Sequence, residues 1–211
     1  MALFDVFKLL LLFVHLLGTS LALGAIVATD IRLLRRLADD RVRIAPPNPF
    51  VMRLITLALV TLFVTGVALI GLGWRDDPTY LSGNPKLQAK LLLVAILSIN
   101  AMVLHRYTFP GLARGRRVAR WKVADFLRVA LPVSISNCLW MYCAFLGIAR
   151  PWSRTVSMDF VLGTAVWLLA ATLAGVTTVL VIAAQDRTHA EPGWIDGLKR
   201  RIDALATALH I

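Results

Sequence analysis

Charge is scarce in this sequence: Asp, Glu, Lys and Arg together supply 17% of the residues, against 58% hydrophobic. The shortage is uneven, because the apolar residues fall in long runs and the charges fall between them. A soluble domain of 211 residues cannot be built from so little polar surface, so that class is excluded. Cysteine is scarcer still. The only two, Cys138 and Cys143, are five residues apart in one apolar run, about 140° apart around a helix, so they cannot pair with each other. They read as small buried thiols. Also missing are a hydrolase-type triad, a phosphate-binding glycine loop and a Cys/His zinc pattern. No internal repeat or low-complexity tract stands out.

What the chain has is apolar length. A helix needs roughly 20 mostly apolar residues to cross a bilayer. Five stretches meet that requirement, at about 4–29, 52–74, 87–105, 126–148 and 158–184. The fold class this predicts is an all-α integral membrane protein, a bundle of about five transmembrane helices over residues 1–184. The start, MALFDVFKLLLLFVHLLG, reads as the first span. Asp5 stands where a cleavable signal peptide carries basic residues, and no small-residue cleavage site leads into polar sequence. The early part of the charged segment after span one, DIRLLRRLADDRVRIAPPNP, continues the helix beyond the membrane until Pro46, Pro47 and Pro49 end it, and Pro132 inside span four predicts a kink. Spans four and five read as packing partners.

The net charge of +11 does not point to nucleic acid. Basic residues cluster in alternate connections: Arg32, Arg35, Arg36, Arg41 and Arg43 after span one, and Arg106, Arg114, Arg116, Arg117, Arg120 and Lys122 after span three. The tail adds Arg187, Lys199, Arg200 and Arg201. The other two connections hold only Arg75 with Lys86, and Arg150 with Arg154. Under the positive-inside rule this asymmetry predicts a multi-pass protein of the bacterial inner membrane, N-terminus out and C-terminus in. The partner the charges imply is the lipid bilayer and its anionic headgroups. The cytoplasmic tail, 185–211, places Trp194, Ile195, Leu198, Ile202, Leu205 and Leu209 on one helical face. It reads as an amphipathic helix on the membrane surface, or equally one packed on a partner.

Polar side chains at membrane depth are costly, so each is a candidate for function. Here they are His15, Lys90, Ser98, Asn100, His105, Ser134, Ser136 and Asn137. His15 heads a stripe of small residues, Gly18, Ala22, Ala25 and Thr29, along one face of span one. Such a stripe admits a close helix or a flat cofactor, and neutral imidazole binds iron well. His15 is therefore a candidate ligand of a b-type haem, and the plain alternative is a histidine bonded to a neighbouring helix. Lys90 and His105 lie along one side of span three and are the candidates to complete a cofactor site. The plain alternative for both is anchoring at the membrane interface. With ~1.5 Å rise per residue, His15 lies ~10–18 Å below the N-terminal surface and His105 about 27 Å below it. His15 with Lys90, His15 with His105, and His15 alone all stay open. The metal candidates are His15 and His105.

The segments HLLGTSLALGAIVATDIRLLRRL (15–37) and NPKLQAKLLLVAILSINAMVLHR (84–106) resemble an uncharacterised bacterial family of small multi-span membrane proteins. The shared pattern is the span-one histidine, an Asp-Leu-Arg-Leu-Leu element (here Asp30-Ile31-Arg32-Leu33-Leu34), and a span-three lysine, Asn-Ala and terminal histidine (Lys90, Asn100, Ala101, His105). Thr65-Gly66 in span two also fits it. The resemblance covers the first half of the chain and implies no activity. A more distant similarity, limited to the polar positions of spans one and three, is to HemJ-type protoporphyrinogen oxidases and CopD-type copper-resistance proteins. HemJ-type proteins are four-helix membrane proteins that bind haem b.

Three functions follow as expectations. The first is a redox protein holding one b-type haem and exchanging electrons with quinone or a porphyrin. The second is a non-catalytic scaffold or assembly subunit of a larger membrane complex. The third is a CopD-like metal permease, for which Pro132 with Ser134, Ser136 and Asn137 is the hint of an interrupted helix.

Overall fold

The structure, a computed structural model, describes residues 3–36, 46–113 and 121–184, with 197, 198, 200–202 and 204 in the tail. Its elements are helices; among the described residues there is no strand. Five helices are long and apolar enough to cross a membrane. They are α1 (Leu3–Arg36), α2 (Pro49–Asp76), α3 (Pro85–Ala113), α4 (Val123–Ile148) and α5 (Met158–Ala184). A short 3₁₀ turn, Arg150–Trp152, separates α4 from α5.

The sequence sets the helix starts clearly. α2 and α3 both begin with Asn-Pro. The asparagine side chain accepts from a backbone amide of the first turn, Asn48 from Phe50 at 2.9 Å and Asn84 from Leu87 at 3.1 Å. Proline at the first helical position has the right φ and lacks an amide that would go unpaired there. Helix ends are unevenly legible. α1 continues to Arg36, past the apolar run, as the early part of the charged segment predicts. At α3 the expectation of a span ending near residue 105 understates the helix. It widens into a π-helical turn at Leu104–Thr108 and runs on through Phe109–Ala113.

α1 and α2 form an antiparallel hairpin, and α3, α4 and α5 pack together beside it. α4 is the centre. Over its most apolar window 56% is buried, whereas in the other four helices the fraction is between 11% and 28%. This differs from the sequence expectation, which gave span four a supporting role. The reason is its polar and aromatic content: Tyr142 Oη donates to the Val161 carbonyl of α5 at 2.9 Å, and other α4 side chains reach α1 and α3. Small residues close the remaining seams, with Ala22, Ala89 and Ala130 fully buried.

Large apolar side chains cover the outside, for example Trp167 at 80% and Val64 at 64% exposure. Such a surface suits lipid tails and would be a liability in water. At the end where α2 meets α3, two loops are tied together. Asp77 accepts from the Thr79 amide at 2.8 Å and its hydroxyl at 2.7 Å, and also from the Arg154 guanidinium. Those donors hold the Asp77 carboxyl down at about 2. Arg154 sits in the left-handed region at φ 64°, a conformation its ion pair with Asp77 helps to offset. In the tail, Leu198 and Ile202 are helical and exposed. Trp194, Ile195, Leu205 and Leu209, the rest of the expected amphipathic face, lie outside the described residues.

Candidate functional site

The α1–α2 seam is built from small residues, which lets two backbones approach. A Cβ on Gly18 would lie 3.6 Å from Leu62 and 3.8 Å from the Ala58 carbonyl oxygen. A Cβ on Gly66 would lie 3.6 Å from Cε1 of His15. His15 therefore packs against α2, half-buried, with Nδ1 2.7 Å from Thr65 Oγ1. The Thr65 hydroxyl has one proton and gives it to the Thr61 carbonyl at 2.6 Å. Its oxygen must then accept from His15, which puts the imidazole proton on Nδ1 and leaves the Nε2 lone pair free. Thr65 is itself buried and bonded to its own helix, so the ring is held from behind by an anchored side chain.

Lys90 is the charged group that acts on this imidazole. It reaches toward α4, where it also acts on Cys143. Its Nζ lies 3.4 Å from where Gly147 would carry a Cβ. Among the described residues nothing shares a hydrogen bond with the Lys90 ammonium. Lys86, one turn earlier, is bonded: it donates to the carbonyl of Ala149, the C-terminal cap of α4, at 3.0 Å. Both cations thus meet the helix end that carries partial negative charge. The result is a small constellation drawn from three helices. An imidazole with a free nitrogen comes from α1, an ammonium from α3 and a thiol from α4.

His105 is elsewhere. It sits exposed in the π-helical turn of α3, with Nδ1 donating to the Ala101 carbonyl at 2.9 Å and its ring edge-on to Phe109 at 5.4 Å. Fifteen residues separate it from Lys90 on the same helix, about 22 Å along the axis. Lys90 is thus within electrostatic reach of His15, while His105 lies at the other end of α3. Among the described residues no three or more His, Cys, Asp or Glu side chains gather as a metal-ion site.

Below this constellation α4 is stitched to its neighbours. Asn137, close to the midpoint of α4, donates from Nδ2 to Oδ2 of Asp30 on α1 at 3.1 Å. Asn100 donates to the Pro132 carbonyl at 2.8 Å, and the Thr108 hydroxyl to the Arg128 carbonyl at 2.9 Å. Fully buried Ser134 bonds within its own helix, to Ala130 at 2.7 Å. Sequence reasoning missed Asp30, which reads as the polar flank of span one, and the role of Thr65. The Thr65-Gly66 pair was the signal for the second. No local signal marks the first, because its partner lies 107 residues away.

No family model, curated protein or solved structure matches the chain.

Proposed function

We propose that this chain is a multi-pass protein of the bacterial inner membrane that holds a b-type haem through His15 and serves electron transfer, with quinone or a porphyrin as partner. One observation carries the reading. Thr65 accepts a hydrogen bond from Nδ1–H of His15, so the nitrogen left over is the one an iron needs. This is how ligating histidines are held, with the second nitrogen fixed by a hydrogen bond. Lys90 supplies a cation whose charge is felt at the imidazole, suited to a carboxylate of the macrocycle or to an electron-rich partner. The haem would supply one-electron chemistry, which no side chain of the chain can provide alone. The chain's own contribution is to orient the imidazole, set a positive charge near it, and seal the site within apolar helices.

The distant similarity to HemJ-type proteins rests on these same positions and belongs to the proposal. So does the orientation, N-terminus out, which places His15 and Lys90 in the outer half of the bundle and His105 at the cytoplasmic end.

The test is the visible spectrum of the protein purified in mild detergent from cells supplied with haem, oxidised and reduced. The expected result is a Soret band that His15→Ala removes and His105→Ala leaves in place. A colourless preparation overturns the reading.

A further inference from the structure

Asp30 follows an apolar run and precedes Arg32 and Arg35, which marks it as the end of a span. The fold treats it otherwise. Its carboxylate is half-buried against α4 and meets Asn137 near the midpoint of that helix. α1 packs against α2 and α4, so the groups that face Asp30 come from those two helices and from α1 itself. From α4 the neighbour is the neutral Asn137. On α2, the antiparallel register set by Lys8 with Asp76 and His15 with Thr65 brings the Phe50–Arg53 turn opposite. Arg53 is exposed there, and so is Arg32 on α1. Among the described residues neither is paired with Asp30, and Asn137 is the only side chain bonded to it.

A carboxylate among apolar helices with one neutral donor lacks what normally retains its charge, an arginine or several backbone amides. An asparagine also serves both charge states. Its Nδ2 donates to a carboxylate, and after a half-turn of the amide its Oδ1 accepts from a carboxyl O–H. Asn137 has that option, because no other group among the described residues occupies its Oδ1.

We propose that Asp30 and Asn137 form a proton-binding site between α1 and α4. The ligand is a proton delivered by water from the end of the bundle where Arg32 and Arg53 emerge. On uptake, one Asp30 oxygen gains the proton and becomes O–H. The Asn137 amide turns, and the Nδ2–H···O bond is replaced by O–H···Oδ1. On release both changes reverse, with no electron transferred. The site is independent of the haem reading, since neither residue belongs to the His15 constellation.

The experiment is infrared difference spectroscopy of the full chain in lipid nanodiscs while the pH is raised across the neutral range. The expected result is a protonated-carboxyl stretching band that fades with rising pH. It is absent in Asp30→Asn and present in Asp30→Glu. In Asn137→Leu it persists at a shifted frequency and titrates at a different pH. Difference spectra that are the same in the wild type and in Asp30→Asn overturn the proposal. Should Asp30→Asn fail to fold, the unaltered chain with ¹³C-labelled aspartate carboxyls is compared with Asn137→Leu, and identical titrations overturn it equally. The haem spectrum is recorded in parallel, so a colourless protein with an intact carboxyl titration fails one reading and keeps the other.

Discussion

The Thr108 hydroxyl donates to the Arg128 carbonyl across the α3–α4 seam at 2.9 Å. That carbonyl would accept from the amide of residue 132 in an unbroken helix, but residue 132 is proline and has no amide. A helix in an apolar environment must satisfy such an orphan from a neighbour, and α3 supplies the donor. The π-helical turn ends on Thr108, so the wider turn and the proline meet at one contact.

Thr108→Val keeps the shape and removes the donor. It is expected to destabilise the bundle by about 1–2 kcal/mol, the cost of an unmade buried hydrogen bond. Pro132→Ala returns the helix amide. The double variant should therefore lose less than the sum of the two single changes. Unfolding in mixed micelles, read by circular dichroism, gives all three values. Strict additivity would show that the two residues are not coupled.

Thr65→Val leaves His15 without its acceptor and frees the ring to turn. Haem affinity should fall roughly 10–100-fold, the usual effect of losing the partner of a ligating histidine. Titration of the apoprotein with haem measures it. Unchanged affinity would mean that Thr65 serves only to pack the α1–α2 seam.

Gly73→Ala places a methyl 2.6 Å from the Tyr80 ring, so the α2–α3 loop must shift. The expected loss of stability is about 1–3 kcal/mol. Tyr80→Ala in the same chain should recover most of it. Gly175→Ala is the control, since a Cβ there meets nothing within 4 Å.

Asp77 loses its charge only as the pH falls through about 2, against the usual 3.8. Its tie to the α4–α5 loop is therefore complete above 3.8 and lost on acidification through about 2. Carboxyl NMR of the labelled side chain gives the midpoint. Thr79→Ala and Arg154→Gln should both raise it, Thr79→Ala the more, because the Thr79 hydroxyl is the strongest single influence on this carboxyl.

Hydropathy made five helices legible because each apolar run exceeds the length a bilayer demands. It read the end of α3 poorly, since residues 106–113 extend that helix through polar sequence that hydropathy scores as loop, whereas the run of α1 into Arg35 and Arg36 was legible in the charged segment itself. The candidate site was half legible. His15 and Lys90 stand out as costly residues in apolar runs, and Thr65 sits beside a glycine that admits the imidazole. Asp30 was not legible, because a carboxylate next to arginines is what the end of a span looks like. Only the pairing of α1 with the middle of α4 gives it a different neighbour. The same holds for α4 itself: it is the least apolar of the five spans, but its central place depends on side chains that reach three helices.

The α1–α2 hairpin has a bearing on how the protein is made. Its contacts, from Lys8 with Asp76 through His15 with Thr65 to Gly18 with Leu62, join segments adjacent in the chain. A ribosome delivers both before α3 begins, so the imidazole has its tautomer fixed while the rest of the bundle is still being synthesised. The latecomers are α3 and α4, which bring Lys90 and Cys143 toward a histidine already in place. Assembly order and site order are then the same, and insertion of the third and fourth helices is the step that completes the site.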